Sequence, residues 1–229
     1  MMYLYSLLLL GSILVPLCLS FDRKLRFYRQ WKSFFPAVLI VAAFYIAFDI
    51  AFTRAGIWGF NARYHSPIVL AGLPLEEWLF FVVIPYASVF LHDSVVLYFP
   101  TFRLSRNAGR LLSVLLLVGA LALILFHYDK AYTAYIFSLM VLVLLLAIGD
   151  KSRIVDHFYV SFVVILIPFV LVNAILTGSW IDEPVVWYNN GENLGIRLLT
   201  IPVEDVFYAF SLILFSLLLR NYFQKRQSE

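Results

Sequence analysis

The chain is poor in charge and nearly devoid of cysteine. Asp, Glu, Lys and Arg make up 14% of its 229 residues, against about a quarter in ordinary globular proteins. A water-soluble domain is excluded by that shortage, because too little polar surface is available to cover a core. One cysteine, Cys18, permits no intrachain disulfide. The four histidines show no metal-ligand spacing, so no metal is expected. No G-x-G-x-x-G fingerprint occurs, which argues against a dinucleotide-binding Rossmann domain and leaves no cofactor to expect. The formal charge of +3 needs no nucleic-acid partner.

What is present is hydrocarbon: 63% of residues are hydrophobic and 18% aromatic. They fall in long unalternating runs, and a bilayer core about 30 Å thick needs about 20 such residues per helix. We read seven spans: Tyr3–Ser20, Phe34–Phe52, Pro74–Phe99, Leu111–Phe126, Ala131–Ile148, Val155–Thr177 and Leu198–Leu219. Basic residues follow the first run at Arg23, Lys24 and Arg26 rather than precede it, so it reads as a retained helix and not a signal peptide. Seven spans divide the 17 basic residues into 13 on one side and 4 on the other. The positive-inside rule then places the N-terminus outside and the C-terminus in the cytoplasm.

The chain also repeats itself. Leu73-Pro74-Leu75-Glu76-Glu77 aligns with Ile201-Pro202-Val203-Glu204-Asp205, bringing Phe60-Asn61 onto Tyr188-Asn189. Upstream, Asp49 falls on Asn173 and Thr53 on Thr177. The expected fold is an all-α polytopic membrane bundle of about seven helices. Residues 1–100 and 131–229 form two three-helix repeats, and 101–130 supply a linking helix. An odd number of spans per repeat would invert the second copy; the linking helix restores it, so the repeats run parallel.

Pro74 and Pro202 are each expected in a first helical turn, where the missing N–H costs nothing. Carboxylates there are favourable by about 0.3–1 kcal/mol and need do nothing more. Two matched copies at one side of an apolar bundle point further, because ionisable groups in a membrane usually face a functional interior. The candidate catalytic residues are therefore Glu76, Glu77, Glu204 and Asp205. Adjacent helical positions point about 100° apart, so one carboxyl of each pair is expected to face a central cavity. Trp78, Phe80, Phe81, Phe207 and Tyr208 would wall such a carboxyl from water. Desolvation disfavours its charged form, while the helix dipole favours it. Asp49 and Asn173 are expected at the same cavity, with Trp58, Asn61, Tyr188 and Asn189 closing it from the loops. Arg54 and Arg197 are near enough in sequence to pair with the acids. His92-Asp93 lies toward the far end of its span, away from them.

The stretches Gly56-Ile57-Trp58-Gly59-Phe60-Asn61 and Gly72-Leu73-Pro74-Leu75-Glu76-Glu77 resemble the lycopene cyclase domain family. Gly195-Ile196-Arg197 with Ile201-Pro202-Val203-Glu204-Asp205 resembles its second copy. That family occurs as paired three-helix subunits or as a fused tandem, distinct from flavin-binding cyclases. The resemblance implies an integral protein of a bacterial cell membrane acting on lycopene or a related linear carotenoid. It implies protonation of a terminal double bond by a carboxylic acid, ring closure and proton loss to a β-ionone ring, without net redox change or cofactor. A carotenoid hydratase of the same group is the nearest alternative reading, and a transporter the alternative from another class. A retinal-binding photoreceptor is disfavoured, since the last span carries no lysine for a Schiff base.

Overall fold

A computed structural model describes residues 3–228; residues 1, 2 and 229, at the ends of the two expected repeats, lie outside it. Seven apolar helices dominate: α1 (Leu4–Leu19), α2 (Trp31–Arg54), α3 (Leu75–Tyr98), α4 (Arg106–Phe126), α5 (Ala131–Gly149), α6 (Ile154–Leu176) and α7 (Val203–Ser228). Among the described residues six of them are long and apolar enough to cross a membrane. The shorter α1 lies against α3. The chain is an integral membrane protein.

Three expected boundaries are corrected. The fourth span starts earlier, at Arg106, because the Ser105 hydroxyl accepts from the Ala108 N–H and caps the helix there. The seventh starts later, at Val203, because Arg197–Leu198 (β5) and Ile201–Pro202 (β6) pair as a hairpin first. The prolines precede the first helical turn rather than occupy it. Pro74 is the extended N-cap of α3 and pairs, as the end of Leu73–Pro74 (β3), with Val69–Leu70 (β2). The β2–β3 turn uses positive φ at Ala71 and Gly72, the signature of a tight two-residue hairpin. Leu75 N–H to the Ile68 carbonyl and Val203 N–H to the Ile196 carbonyl, each 2.9 Å, then tie the two hairpins to their helices identically.

The strands Trp58–Phe60 (β1) and Val186–Tyr188 (β4) join the repeats. Their antiparallel register is Trp58 with Tyr188, Gly59 with Trp187, and Phe60 with Val186. The sequence shift that carries Glu76 onto Glu204 carries Trp58 onto Val186 and Phe60 onto Tyr188. The register is thus self-complementary, with a pseudo-twofold axis through the Gly59–Trp187 pair. Packing obeys the same relation: α3 contacts α1, α2, α6 and α7, while α7 contacts α5, α6, α2 and α3. The added helix α4 lies outside this symmetry, against α5 and α6.

Large apolar side chains fill the bundle, with Phe34, Phe137, Phe158 and Leu214 fully buried in the main cluster. At the end remote from the hairpins, Arg220 of α7 donates to both carboxylate oxygens of Asp93 of α3, at 2.6 and 3.0 Å. His92 bonds Ser161 of α6 at 2.6 Å. These contacts lock the far end of the two central helices, as expected for groups distant from the acidic motifs.

A carboxyl-lined cavity at the hairpin end

Leu75 opens α3, so Glu76 and Glu77 occupy its second and third positions; Glu204 and Asp205 do the same in α7. The two members of each pair have separate tasks. Glu76 turns back toward its own repeat. Its Oε1 accepts from the Ser6 hydroxyl at 2.6 Å and the Ser66 N–H at 2.8 Å, and its Oε2 accepts from the Ser66 hydroxyl at 3.1 Å. Glu204 repeats this, accepting from the Thr133 hydroxyl and the Leu194 N–H, both at 2.7 Å. Each of these carboxyls therefore pins the loop before its hairpin to the first helix of its repeat.

The second member faces inward. Glu77 and Asp205, from opposite repeats, line one cavity of about 70 Å³ together with Asp49, Asn173, Trp58, Phe80, Tyr188 and Tyr208. The Tyr5 hydroxyl donates to Glu77 Oε2 at 2.5 Å. Tyr132, the counterpart of Tyr5 in the second repeat, donates to Asp205 Oδ1. Tyr188 donates to Asp205 Oδ2 at 2.9 Å. Asp205 thus accepts at both oxygens, whereas Glu77 Oε1 takes no hydrogen bond from the described residues. Asp49 is buried, and its Oδ2 has no partner.

Among the described residues no Lys, Arg or His lines the cavity. Arg197 instead donates to the Thr200 carbonyl at 2.5 Å and to Asn190 at 2.6 Å. Three carboxyls, Asp49, Glu77 and Asp205, thus share one small cavity. In the β4 strand, desolvation first and then the nearby Asp205 charge raise the Tyr188 phenol well above its ordinary range. Tyr188 therefore remains a hydrogen-bond donor at any working pH.

Several expected residues lie elsewhere. Asn61 donates to Glu183 at 2.9 Å on the exposed surface, and Asn189 accepts from the Gly191 N–H at 3.0 Å in its own turn. The Trp78 indole N–H donates outward to the Leu70 carbonyl at 3.2 Å. Phe81 is buried in a separate apolar cluster beside Tyr45, and Phe207 packs on Phe137. Conversely, Tyr5, Ser6, Ser66, Tyr132 and Thr133 escape a reading centred on the acids. Their signal was available: Tyr5-Ser6 and Tyr132-Thr133 are matched hydroxyl pairs opening the first helix of each repeat.

The clamp and cavity roles separate experimentally. Ser6→Ala and Thr133→Ala each delete one clamp hydrogen bond to a carboxylate, with an expected loss of about 1.5–3 kcal/mol in stability. Thermal unfolding in detergent should register that loss, with turnover at low temperature preserved. Loss of turnover without loss of stability would show that the clamps take part in the chemistry.

A protein-family model described as Lycopene cyclase matches residues 2–95 and again 129–223. No curated protein and no solved structure matches the chain. The two matched segments carry the two carboxyl pairs that the bundle brings to one end, and together they span most of the sequence. The chain belongs to the lycopene cyclase family, enzymes that cyclise carotenoids, with two copies of the family's domain fused in one polypeptide.

Proposed function

We propose that this enzyme is a lycopene β-cyclase, closing the linear ends of lycopene into β-ionone rings to give γ- and then β-carotene. Glu77 is the proton donor and Asp205 the carboxylate that stabilises the cation and accepts the returning proton. The observation that carries this assignment is the unequal hydrogen bonding of the two acids. Among the described residues Glu77 has one oxygen without a hydrogen bond, where a proton can reside. Asp205 accepts hydrogen bonds at both oxygens and has none to spare.

The chemistry then balances. The Glu77 proton adds to the CH carbon of the terminal alkene, leaving a tertiary cation at the dimethyl carbon. The next alkene attacks with its CH carbon, closes a six-membered ring and moves the cation to the methyl-bearing carbon. Asp205 removes the proton from the newly bonded ring carbon, and the double bond re-forms as a β ring. One proton enters and one leaves, so no redox partner is needed. The aromatic faces of Trp58, Phe80 and Tyr208 add cation–π stabilisation, on the order of 2 kcal/mol or more in a dry site. Asp49, buried near Glu77, is a third carboxyl that can pass a proton between turnovers.

In this reading residues 1–100 and 131–229 each supply one acid and one tyrosine clamp, and 101–130 only restore the direction of the chain. The 13-to-4 distribution of basic residues supports placing the cavity end at the outer face of the membrane.

Expression in lycopene-accumulating cells tests the assignment. A ring-bearing product of unchanged mass is expected, and turnover in heavy water should add one deuterium per ring. A linear product heavier by one water would instead establish a hydratase, in which water captures the cation before the alkene does.

A further inference from the structure

Beside the carboxyl cavity runs a second, larger hollow of about 540 Å³, within the range of small-molecule sites. Gly11, Ser12 and Val15 of α1 form one lip and Pro168, Leu171 and Val172 of α6 the other. Its floor is α3 and α7. Ile84, Phe169, Asn173 and Ala209 line both hollows, so the groove ends at the wall that the acids occupy. Apart from Ser12, Ser88 and Asn173 its lining is apolar, and Gly11, Val15 and Leu171 are exposed at its rim.

The pseudo-twofold should make a second such groove between α5 and α2. The side chains there prevent it. Ala87 of the open groove corresponds to Phe215, Ala209 to Phe81, Val172 to Phe48 and Leu8 to Tyr135. Phe48 and Tyr135 lie with ring centroids 4.7 Å apart, Tyr45 meets Phe81 at 6.2 Å, and Phe44 meets Phe215 at 6.5 Å. Aromatic rings fill one seam where small residues leave the other open.

We infer that, among the described residues, the groove between α1 and α6 is the one seat for the hydrocarbon body of a linear carotenoid, which reaches the acids sideways from the bilayer and one end at a time. The occupant follows from the near absence of polar groups and from the shared wall with the cavity. This inference rests on the carotenoid-cyclase reading. Its consequence is kinetic: with one seat, a second ring requires the one-ringed molecule to leave, turn end for end and return. The one-ringed carotenoid is therefore a free intermediate, and two fused repeats do not act on two ends at once.

The test needs no catalysis. In nanodiscs, Gly11→Cys and its mirror Ser138→Cys, each in a Cys18→Ala background, are titrated with a bilayer-soluble maleimide. Both positions are exposed, and a Cβ at Gly11 meets no atom within 4 Å. Lycopene at ten times its Kd should slow labelling at Gly11→Cys by roughly tenfold and leave Ser138→Cys unchanged. Adding Ala87→Phe, the ring found at the mirror position, should remove the protection. Equal protection at both positions, or none at either, overturns the single seat. In a turnover arm, unlabelled one-ringed carotenoid added to labelled lycopene should dilute the label in the two-ringed product; undiluted label overturns the release step. Protection without any ring formation would leave the seat standing and remove the cyclase assignment instead.

Discussion

Glu77→Gln is expected to abolish ring formation while the protein still accumulates in the membrane at normal levels. The amide is isosteric, and its carbonyl can still accept from the Tyr5 hydroxyl that holds Glu77 at 2.5 Å. Only the ability to deliver a proton to carbon is lost. General acid catalysis is worth about 10²–10⁴-fold, so the pigment of a lycopene-producing host should remain linear. Glu76→Gln is the informative control, because the two residues are neighbours with opposite surroundings. Both Glu76 oxygens act as acceptors, from Ser6 and twice from Ser66. An amide there can keep its carbonyl toward the Ser6 hydroxyl and the Ser66 N–H and turn its NH₂ to the Ser66 hydroxyl, which can accept. What is lost is the charge that strengthens those bonds, so the expected damage is to stability rather than to the product profile. Chromatography of extracted pigment beside an immunoblot separates the two outcomes. Cyclised product from Glu77→Gln at wild-type rate would remove Glu77 as the proton source.

The contrast between these neighbours also marks how far the sequence could be read. The duplicated Pro-x-acid-acid motif is a pattern of residue types, so the repeat, its parallel sense and the gathering of acids at one end were all legible. Which acid of each pair points inward was not. That depends on the rotation of α3 and α7 against α1 and α5, set by side-chain packing across repeats of low mutual similarity. Tyr5 and Tyr132 did carry a matched signal, Tyr5-Ser6 against Tyr132-Thr133. A tyrosine at the start of a membrane helix is nevertheless ordinary at the bilayer interface, and it is contact with Glu77 and Asp205 that gives these two a place beside the acids. Asn61 and Asn189, matched across the repeats, attracted a site role, yet their side chains hold loop geometry. The open and closed seams were likewise unreadable, since Ala87 and Phe215 differ only in bulk until the faces they share are known.

Asp205→Asn should cost about as much as Glu77→Gln, through a different loss. The variant keeps the shape of the residue but removes the negative charge on which the cation and the returning proton depend. Tyr132 and Tyr188 each donate one hydrogen bond to that carboxylate, and hydrogen bonds to charged groups contribute about 1.5–3 kcal/mol. Tyr132→Phe and Tyr188→Phe should therefore each lower turnover by roughly 10–100-fold, since each 1.36 kcal/mol in the barrier is a factor of ten. The two donors reach different oxygens of one group, so their effects should be coupled rather than additive. The double Phe variant in an Asp205→Asn background should add little further loss, because the charge they orient has already gone. Measured rates of ring formation for the full set of combinations decide the point. Full additivity of the tyrosine losses in the absence of the Asp205 charge would show that they act on the substrate directly, and the carboxylate would lose its assigned place as their common partner.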